Sequence, residues 1–284
     1  MRFVTFELNG EACPGVISGD TVLDVRSLGF SSLLDVIASG APGRAKIENL
    51  VIQPPDSARY SLASAKLLAP IPRPPKIICV GLNYRDHAAE TGARLPSVPT
   101  IFNKFPTAVN APGANIVLPR ESNAIDYEVE FAFVIGRGGR RIPAAEWKEH
   151  VFGYTIANDV SARDYQRATS QWLMGKTFDT FAPMGPWIVT PDAVEDPHAL
   201  DIRMELNGEI MQHSNTRELI FKIPDLIAFV SGVFTLEPGD IMLTGTPSGV
   251  GFVRNPPRFL QPGDECVLKI AGIGELRNPV VAEP

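Results

Sequence analysis

Asp126-Tyr127-Glu128-Val129-Glu130-Phe131-Ala132-Phe133-Val134-Ile135-Gly136 is the stretch on which the reading of this chain turns. In an extended strand, successive side chains point to opposite faces. Tyr127, Val129, Phe131, Phe133 and Ile135 then share one face, and Glu128, Glu130, Ala132 and Val134 share the other. Both faces are apolar enough to be buried, which makes this an interior strand. Two carboxylates about 7 Å apart on a buried face are unfavourable, because each buried charge is strongly destabilising unless something neutralises it. A hard cation is the simplest neutraliser. The alternative is that Glu128 and Glu130 lie at a solvated strand start, the apolar part beginning only at Phe131. A second polar cluster favours the cation: Gly153 to Asp164 reads as a short apolar strand ending at Asp159, then a helix starting near Ser161. Carboxylates at strand ends are well placed to converge.

The chain has 284 residues, 44% hydrophobic and 20% charged, with a formal net charge of -6 and a pI near 5.3. This is the composition of a globular protein, one large domain or a small one plus a main one. No Lys/Arg stripe points to nucleic acid or an anionic membrane, so the expected partner is a small molecule. The first residues alternate like a strand rather than forming a signal peptide, and the apolar run from Leu226 to Leu236 falls short of the roughly 20 residues of a membrane helix. A soluble, cytoplasmic protein is expected. Cys13, Cys79 and Cys266 are widely separated and show no C-x-x-C spacing, which suits small core residues rather than disulfides or zinc.

Residues 1–70 read as a small N-terminal α+β module with a proline-rich connector, and residues 71–284 as the main domain. Met1 to Leu8 reads as an edge strand. Ser31 or Ser32 caps a helix carrying Leu33, Leu34, Val36 and Ile37 and stopping at Gly40. Six prolines between Pro54 and Pro75 give an extended connector. The main domain opens with a buried strand, Lys76 to Gly81. A helical turn from Leu82 to Glu90 follows, ending at Gly92, with His87 and Glu90 on one face. Ala93 to Pro99 reads as a mobile flap, part of a lid between Glu90 and Phe105. Helices are expected at Ile142 to His150 and Ile223 to Phe234. Short strands dominate the rest: Trp187 to Thr190, Asp201 to Asn207, Asp240 to Thr244, Glu265 to Ile270, and Val280 to Val281. The fold class is therefore α+β, mostly β, a mixed sheet or barrel with peripheral helices.

His87, His150, His198 and His213 are too scattered for an imidazole zinc site. Glu128, Glu130 and Asp159 offer only oxygen, which favours Mg²⁺ or Mn²⁺ and leaves about three octahedral positions for water or a chelating substrate. Lys176, among apolar and aromatic neighbours, is either an ordinary surface lysine or a cation supporting a substrate oxyanion beside the metal. Leu243 to Gly251 runs from a strand into a glycine-rich loop without a Walker, G-x-S-x-G or G-x-G-x-x-G pattern. It is a tight turn, or a loop whose amides and Thr246 hydroxyl bind an anionic group. His87 with Glu90 is a solvated helical pair, or an imidazole oriented by a carboxylate to act as a general base.

Taken in order, Gly81 to Tyr84 with Asp86, His87 and Glu90, the Glu128-x-Glu130 strand, Asn158 to Asp164, Gly175 to Asp179 and Thr244 to Gly251 resemble the fumarylacetoacetate hydrolase family. The match spans about residues 76–270. The resemblance, with a short N-terminal module like that of bacterial acylpyruvase and isomerase members, implies a mixed β-roll core, a catalytic Mg²⁺ or Mn²⁺, and a homodimer. By position, it makes Glu128, Glu130 and Asp159 the metal ligands. His87 and Glu90 become a water-activating dyad on a closing lid, and Arg163, Gln166, Lys176 and Thr246 contacts to substrate carboxylate or enolate oxygens. The implied activity is C–C hydrolysis of a 2,4-dioxo acid, giving pyruvate or a substituted pyruvate plus a carboxylic acid. The same metal-enolate site supports oxaloacetate decarboxylation or isomerisation of 2-hydroxyhepta-2,4-diene-1,7-dioate; the intact dyad favours hydrolysis, because decarboxylation needs no water. A silent binding protein with this fold predicts a gap among these residues, and none is visible. A serine or cysteine hydrolase finds no motif.

Overall fold

Val129–Ile135 is buried at every position, and its two faces belong to two different cores. Tyr127, Val129, Phe131, Phe133 and Ile135 sit in a cluster of 37 buried residues, while Ala132 and Val134 sit in one of 22. The period of two therefore separates the cores, with the sheet as partition.

The computed structural model describes residues 1–284. The chain opens with the meander β1 (Arg2–Leu8), β2 (Glu11–Ser18) and β3 (Thr21–Asp24), then α1 (Leu33–Ala38), α2 (Gly40–Ile52), β4 (Arg59–Ser61) and β5 (Leu67–Leu68). Next come β6 (Ile77–Gly81), α3 (Arg85–Thr91), β7 (Thr100–Lys104), β8 (Val109–Asn110), β9 (Ile116–Leu118), β10 (Ile125–Asp126) and β11 (Val129–Ile135). The chain continues through α4 (Trp147–His150), β12 (Val151–Asn158), β13 (Ser161–Ala162), α5 (Arg163–Ala168), α6 (Leu173–Lys176) and β14 (Ala182–Val189). It ends with β15 (Asp201–Leu206), β16 (Glu209–Asn215), α7 (Ile223–Val233), β17 (Ile241–Leu243), β18 (Glu265–Ile270) and β19 (Gly274–Ala282).

The fold is mixed α+β, mostly β, built on open sheets. The long sheet runs β4-β3-β2-β1-β14-β12-β11-β17-β6-β7, with β5 on β1 and β8 on β14. A second sheet runs β16-β15-β18-β19-β9. Most pairings are antiparallel, but β17 runs parallel to β6, β8 to β14 and β9 to β19. The larger core fills the space between the two sheets and takes in α7 through Ile223, Leu226, Ile227 and Val230, spaced for one helical face. The smaller core lies under α1 and α2. Ser32 and Asp35 cap α1 reciprocally, Ser32 Oγ accepting from Asp35 N at 3.1 Å and Asp35 Oδ2 from Ser32 N at 2.9 Å.

Several local expectations change. Met1 to Leu8 is not an edge strand: β1 pairs with β2 and β5 and bridges to β14 through Arg2↔Val189 and Phe3↔Ile188. Gly40 does not end the helical region, because α2 starts there. The expected strand from Asp126 breaks at Tyr127 and Glu128, since Asp126 pairs with Ser161 in a separate small ladder. That ladder delays the helix expected near Ser161 to Arg163. Ile142 to His150 is a 3-10 turn, Ala144–Glu146, followed by the short α4.

Residues 1–70 and 71–284 share the smaller core: Phe3, Val16, Leu33 and Ile37 pack in one cluster with Ala132, Ala182 and Leu243. A chain beginning at Ile71 would expose that apolar surface and the edge of β14. It is expected to yield aggregated or partly unfolded protein in thermal unfolding followed by circular dichroism; a soluble fragment with a cooperative transition would show that the two parts fold independently.

Candidate metal centre and its cavity

β11 and β12 run antiparallel with Val129 opposite Asn158, so Glu128, just before one strand, meets Asp159, just after the other. Asp159 N donates to Glu128 O at 2.9 Å, closing this end of the ladder. Glu130 lies two residues from Glu128 and faces the same way. One carboxylate oxygen from each of Glu128, Glu130 and Asp159 lies within 4.8 Å of the others, and all three residues are buried.

Three cations surround them. Lys176 Nζ, at the end of α6, lies 2.8 Å from Glu128 Oε2 and 2.7 Å from Asp159 Oδ2. Lys104 Nζ, at the end of β7, lies 2.5 Å from Asp159 Oδ1 and donates to Val160 O at 3.0 Å. Arg163 Nε donates to Asp126 Oδ2 at 2.9 Å and its Nη1 to Gln166 Oε1 at 2.9 Å. Its Nη2 lies 2.6 Å from Glu128 Oε1 as an ion pair without an aligned hydrogen bond. Buried Asp126, Glu128, Glu130 and Asp159 thus face buried Lys104, Arg163 and Lys176, and four carboxylates against three cations leave one negative charge over.

The surplus falls on Glu130. Burial pushes its carboxyl well above the usual range, and the Asp159 and Glu128 carboxylates add to this. Burial would raise Glu128 too, but Lys176 and Arg163 hold it well below the usual range. Burial lowers the Lys104 ammonium despite Asp159, whereas Asp159 and Glu128 together outweigh burial at Lys176 and raise it. An all-oxygen donor set left one charge short of neutrality fits a hard divalent cation. Each carboxylate has about four lone-pair sites, enough to keep a lysine and take a metal.

The glycine-rich loop binds anions, but they are the protein's own. Gly245 N donates to Glu130 Oε2 at 2.7 Å, Gly249 N to Glu90 Oε1 at 2.8 Å and Gly251 N to Asp126 Oδ1 at 2.7 Å. Gly245 has φ +98°, and a Cβ there would lie 3.0 Å from Val80 O and 2.9 Å from the Asn83 side chain. Only glycine brings this amide to the carboxylate. The Thr246 hydroxyl donates to Val129 O at 2.9 Å and accepts from Gln212 Nε2 at 2.8 Å, so its proton is used and one lone pair remains.

His87 Nδ1 lies 3.2 Å from Glu90 Oε2. Their helix, α3, is docked: Ser214 Oγ donates to Asp86 Oδ2 at 2.5 Å, and Asn83 Nδ2 to Thr244 O at 2.8 Å. The expected lid is shortened, because Thr100 onward is paired in the long sheet and only residues 93–99 lack regular structure. A cavity of about 230 Å³ opens onto His87, Glu128, Glu130, Arg163, Gln166, Lys176 and Thr246, with Glu90 and Asp159 behind. Lys176 is 2% exposed, which removes the surface reading. Lys104, Asp126 and the cavity-lining Arg167 were not anticipated. A strand-end lysine in Ile-Phe-Asn-Lys-Phe-Pro gives only the weak signal of a charge in an apolar setting.

The sequence model for the fumarylacetoacetate (FAA) hydrolase C-terminal family matches residues 76–281. The mitochondrial oxaloacetate tautomerase Fahd2a of Rattus norvegicus is 54% identical over 215 residues, covering 75% of this chain and 69% of that protein. Maleylpyruvate hydrolase from Sphingobium sp. SYK-6, in complex with manganese(II) ion and pyruvate, is 33% identical with a TM-score of 0.84. The 5-carboxymethyl-2-hydroxymuconate delta-isomerase from Mycobacterium smegmatis is 38% identical with a TM-score of 0.80. Both similarities cover 100% of each chain.

The charge count predicts opposite effects at two buried positions. Glu130→Gln removes the surplus charge and is expected to stabilise the metal-free protein by about 1–3 kcal/mol while abolishing stabilisation by Mg²⁺. Lys104→Met leaves Asp159 short of a partner and is expected to lose about 3–5 kcal/mol. Denaturant unfolding with and without Mg²⁺ measures both, and destabilisation by Glu130→Gln would contradict the count.

Proposed function

The chain belongs to the fumarylacetoacetate hydrolase family, and from that premise we propose that it is a metal-dependent enzyme interconverting the enol and keto forms of oxaloacetate or a closely similar 2-oxo acid. The observation that carries this reading is one small cavity lined by the carboxylate cluster, Lys176 and a single carboxylate-held imidazole, in a chain 54% identical to an oxaloacetate tautomerase.

Mg²⁺ or Mn²⁺ held by Glu128, Glu130 and Asp159 would supply Lewis acidity toward the substrate's carboxylate and 2-oxo oxygens. Lys176 adds a cation where negative charge develops on the C2 oxygen, and its contacts with Glu128 and Asp159 hold the ammonium there without reorganisation. Arg163 positions Gln166, whose amide nitrogen remains able to donate to a substrate oxygen. Tautomerisation takes a proton from the C2 hydroxyl and places one on C3. A single acid–base group can do both. Glu90 accepts from Nδ1 of His87, which leaves Nε2 to take up and return the proton. Gly249 N holds the other oxygen of Glu90 and so keeps the ring oriented. No water is consumed, and no C–C bond breaks.

Hydrolysis of a 2,4-dioxo acid is the second reading, favoured by likeness to maleylpyruvate hydrolase along the whole chain. There His87 would deprotonate water instead. The greater identity to the tautomerase supports ranking hydrolysis second.

The test is ultraviolet decay of enol-oxaloacetate with Mg²⁺ and with chelator, alongside pyruvate release from acetylpyruvate. Chelator-sensitive acceleration of enol decay is expected, with no release of pyruvate. Cleavage of acetylpyruvate outpacing tautomerisation would put hydrolysis first. His87→Ala should slow enol decay by about 10²-fold or more while Mg²⁺ affinity is unchanged; loss of the metal as well would remove the role given to the imidazole.

A further inference from the structure

Three Lys and Arg side chains line the cavity, and two are already committed. Lys176 is held by Glu128 and Asp159, and Arg163 by Asp126, Glu128 and Gln166. Arg167 differs. It lies one helical turn beyond Arg163 on α5, is exposed, and has neither an ion pair nor a side-chain hydrogen bond. It is nonetheless not free to wander, because its guanidinium carbon lies 4.2 Å from the centroid of the Phe252 ring.

Phe252 is itself anchored to the buried charge cluster. Its N–H donates to Asp126 Oδ2 at 3.1 Å beside the Gly251 N–H on Oδ1, and Arg163 lies 4.5 Å from the same ring. Stacking holds the guanidinium plane and leaves its edge N–H groups available, in a fork that matches a carboxylate. An unpaired, propped cation at a cavity whose other cations are neutralised complements one further negative charge on the ligand.

We propose that Arg167, supported by Phe252, binds a second carboxylate at the end of the substrate remote from the metal carboxylates, and so selects dicarboxylic over monocarboxylic 2-oxo acids. This rests on the proposed function for the orientation of the substrate, with its 2-oxo carboxylate at Glu128, Glu130 and Asp159. Arg167 is a specificity residue here and takes no part in proton transfer.

Malate and lactate provide the test, because both are stable, share a metal-chelating 2-hydroxy carboxylate, and differ at the distal carboxylate. Calorimetric titration of the Mg²⁺-loaded protein is expected to show malate binding at least about tenfold more tightly than lactate. In Arg167→Met that ratio should fall to about one, with lactate and Mg²⁺ affinities unchanged, and Arg167→Lys should retain part of it. A preference that survives in Arg167→Met, its absence from the wild-type protein, or equal weakening of lactate would overturn the proposal. Neither ligand reacts, so the outcome is separable from the tautomerase reading. An Arg167-dependent malate preference without oxaloacetate turnover would sink the reaction and keep the site. Turnover with a preference indifferent to Arg167 would do the reverse.

Discussion

Four carboxylates and three cations buried in one place are the constraint to which much of this chain answers. Removing an ion from water is strongly unfavourable, and the loss is recovered only when partners meet at hydrogen-bonding distance with little freedom to drift. The partners come from separate parts of the chain: Lys104 from β7, Glu128 from just before β11, Asp159 from the end of β12, Arg163 from α5 and Lys176 from α6. None of these elements can shift without unpairing a charge. The arrangement of strands is therefore also the arrangement that keeps the ions matched, and the site is part of what makes the fold specific.

The same requirement explains the glycine-rich loop after β17. Its amides at Gly245, Gly249 and Gly251 reach Glu130, Glu90 and Asp126, one carboxylate apiece. At Gly251 a Cβ would fall 2.0 Å from Arg258 O and 2.6 Å from Asp126 Oδ1, so a side chain there would push the loop off the carboxylate it serves. Through Glu90 the loop also touches the helix carrying His87. One short segment thus links Glu130, the arginine-holding Asp126 and, through Glu90, the His87 imidazole.

How much of this was legible in the residues depended on whether the signal was local. Glu128 and Glu130 could be found because a period of two turns a buried strand into a statement about its faces, and Asp159 because a carboxylate ending an apolar strand has few other uses. Lys104 could not. A lysine closing a short strand ordinarily points to water, and here it is buried only because β7 pairs with β6 and places its end beside Asp159. Asp126 was hidden similarly, its role set by Arg163 and by amides far along the chain. The edge position expected for β1 failed because its neighbour β14 lies nearly 190 residues away, as in Arg2↔Val189. α2 was masked by Gly40, Pro42 and Gly43 in its first turn, where low helix propensity is overridden by burial of Ile47 and Leu50. The surface reading of Lys176 was removed by burial, which its apolar neighbours suggested but could not establish.

Relatives named for tautomerisation, hydrolysis and isomerisation are all similar to this chain, so membership of the family does not by itself fix the reaction. In the proposed orientation the deciding group is whatever the substrate carries beyond C3. Hydrolysis needs an electrophilic carbonyl there for water to attack, and an imidazole placed to deprotonate that water. A carboxylate in that position is a poor electrophile, since its charge is delocalised over both oxygens and a cation such as Arg167 would hold it as the anion. Selecting a carboxylate at C4 and hydrolysing at C4 are thus opposed demands on one cavity. If Arg167 meets the first, the proton chemistry left to His87 is transfer between the C2 oxygen and C3, and the site works as a tautomerase with no change in its carboxylate cluster, Lys176 or the His87–Glu90 pair.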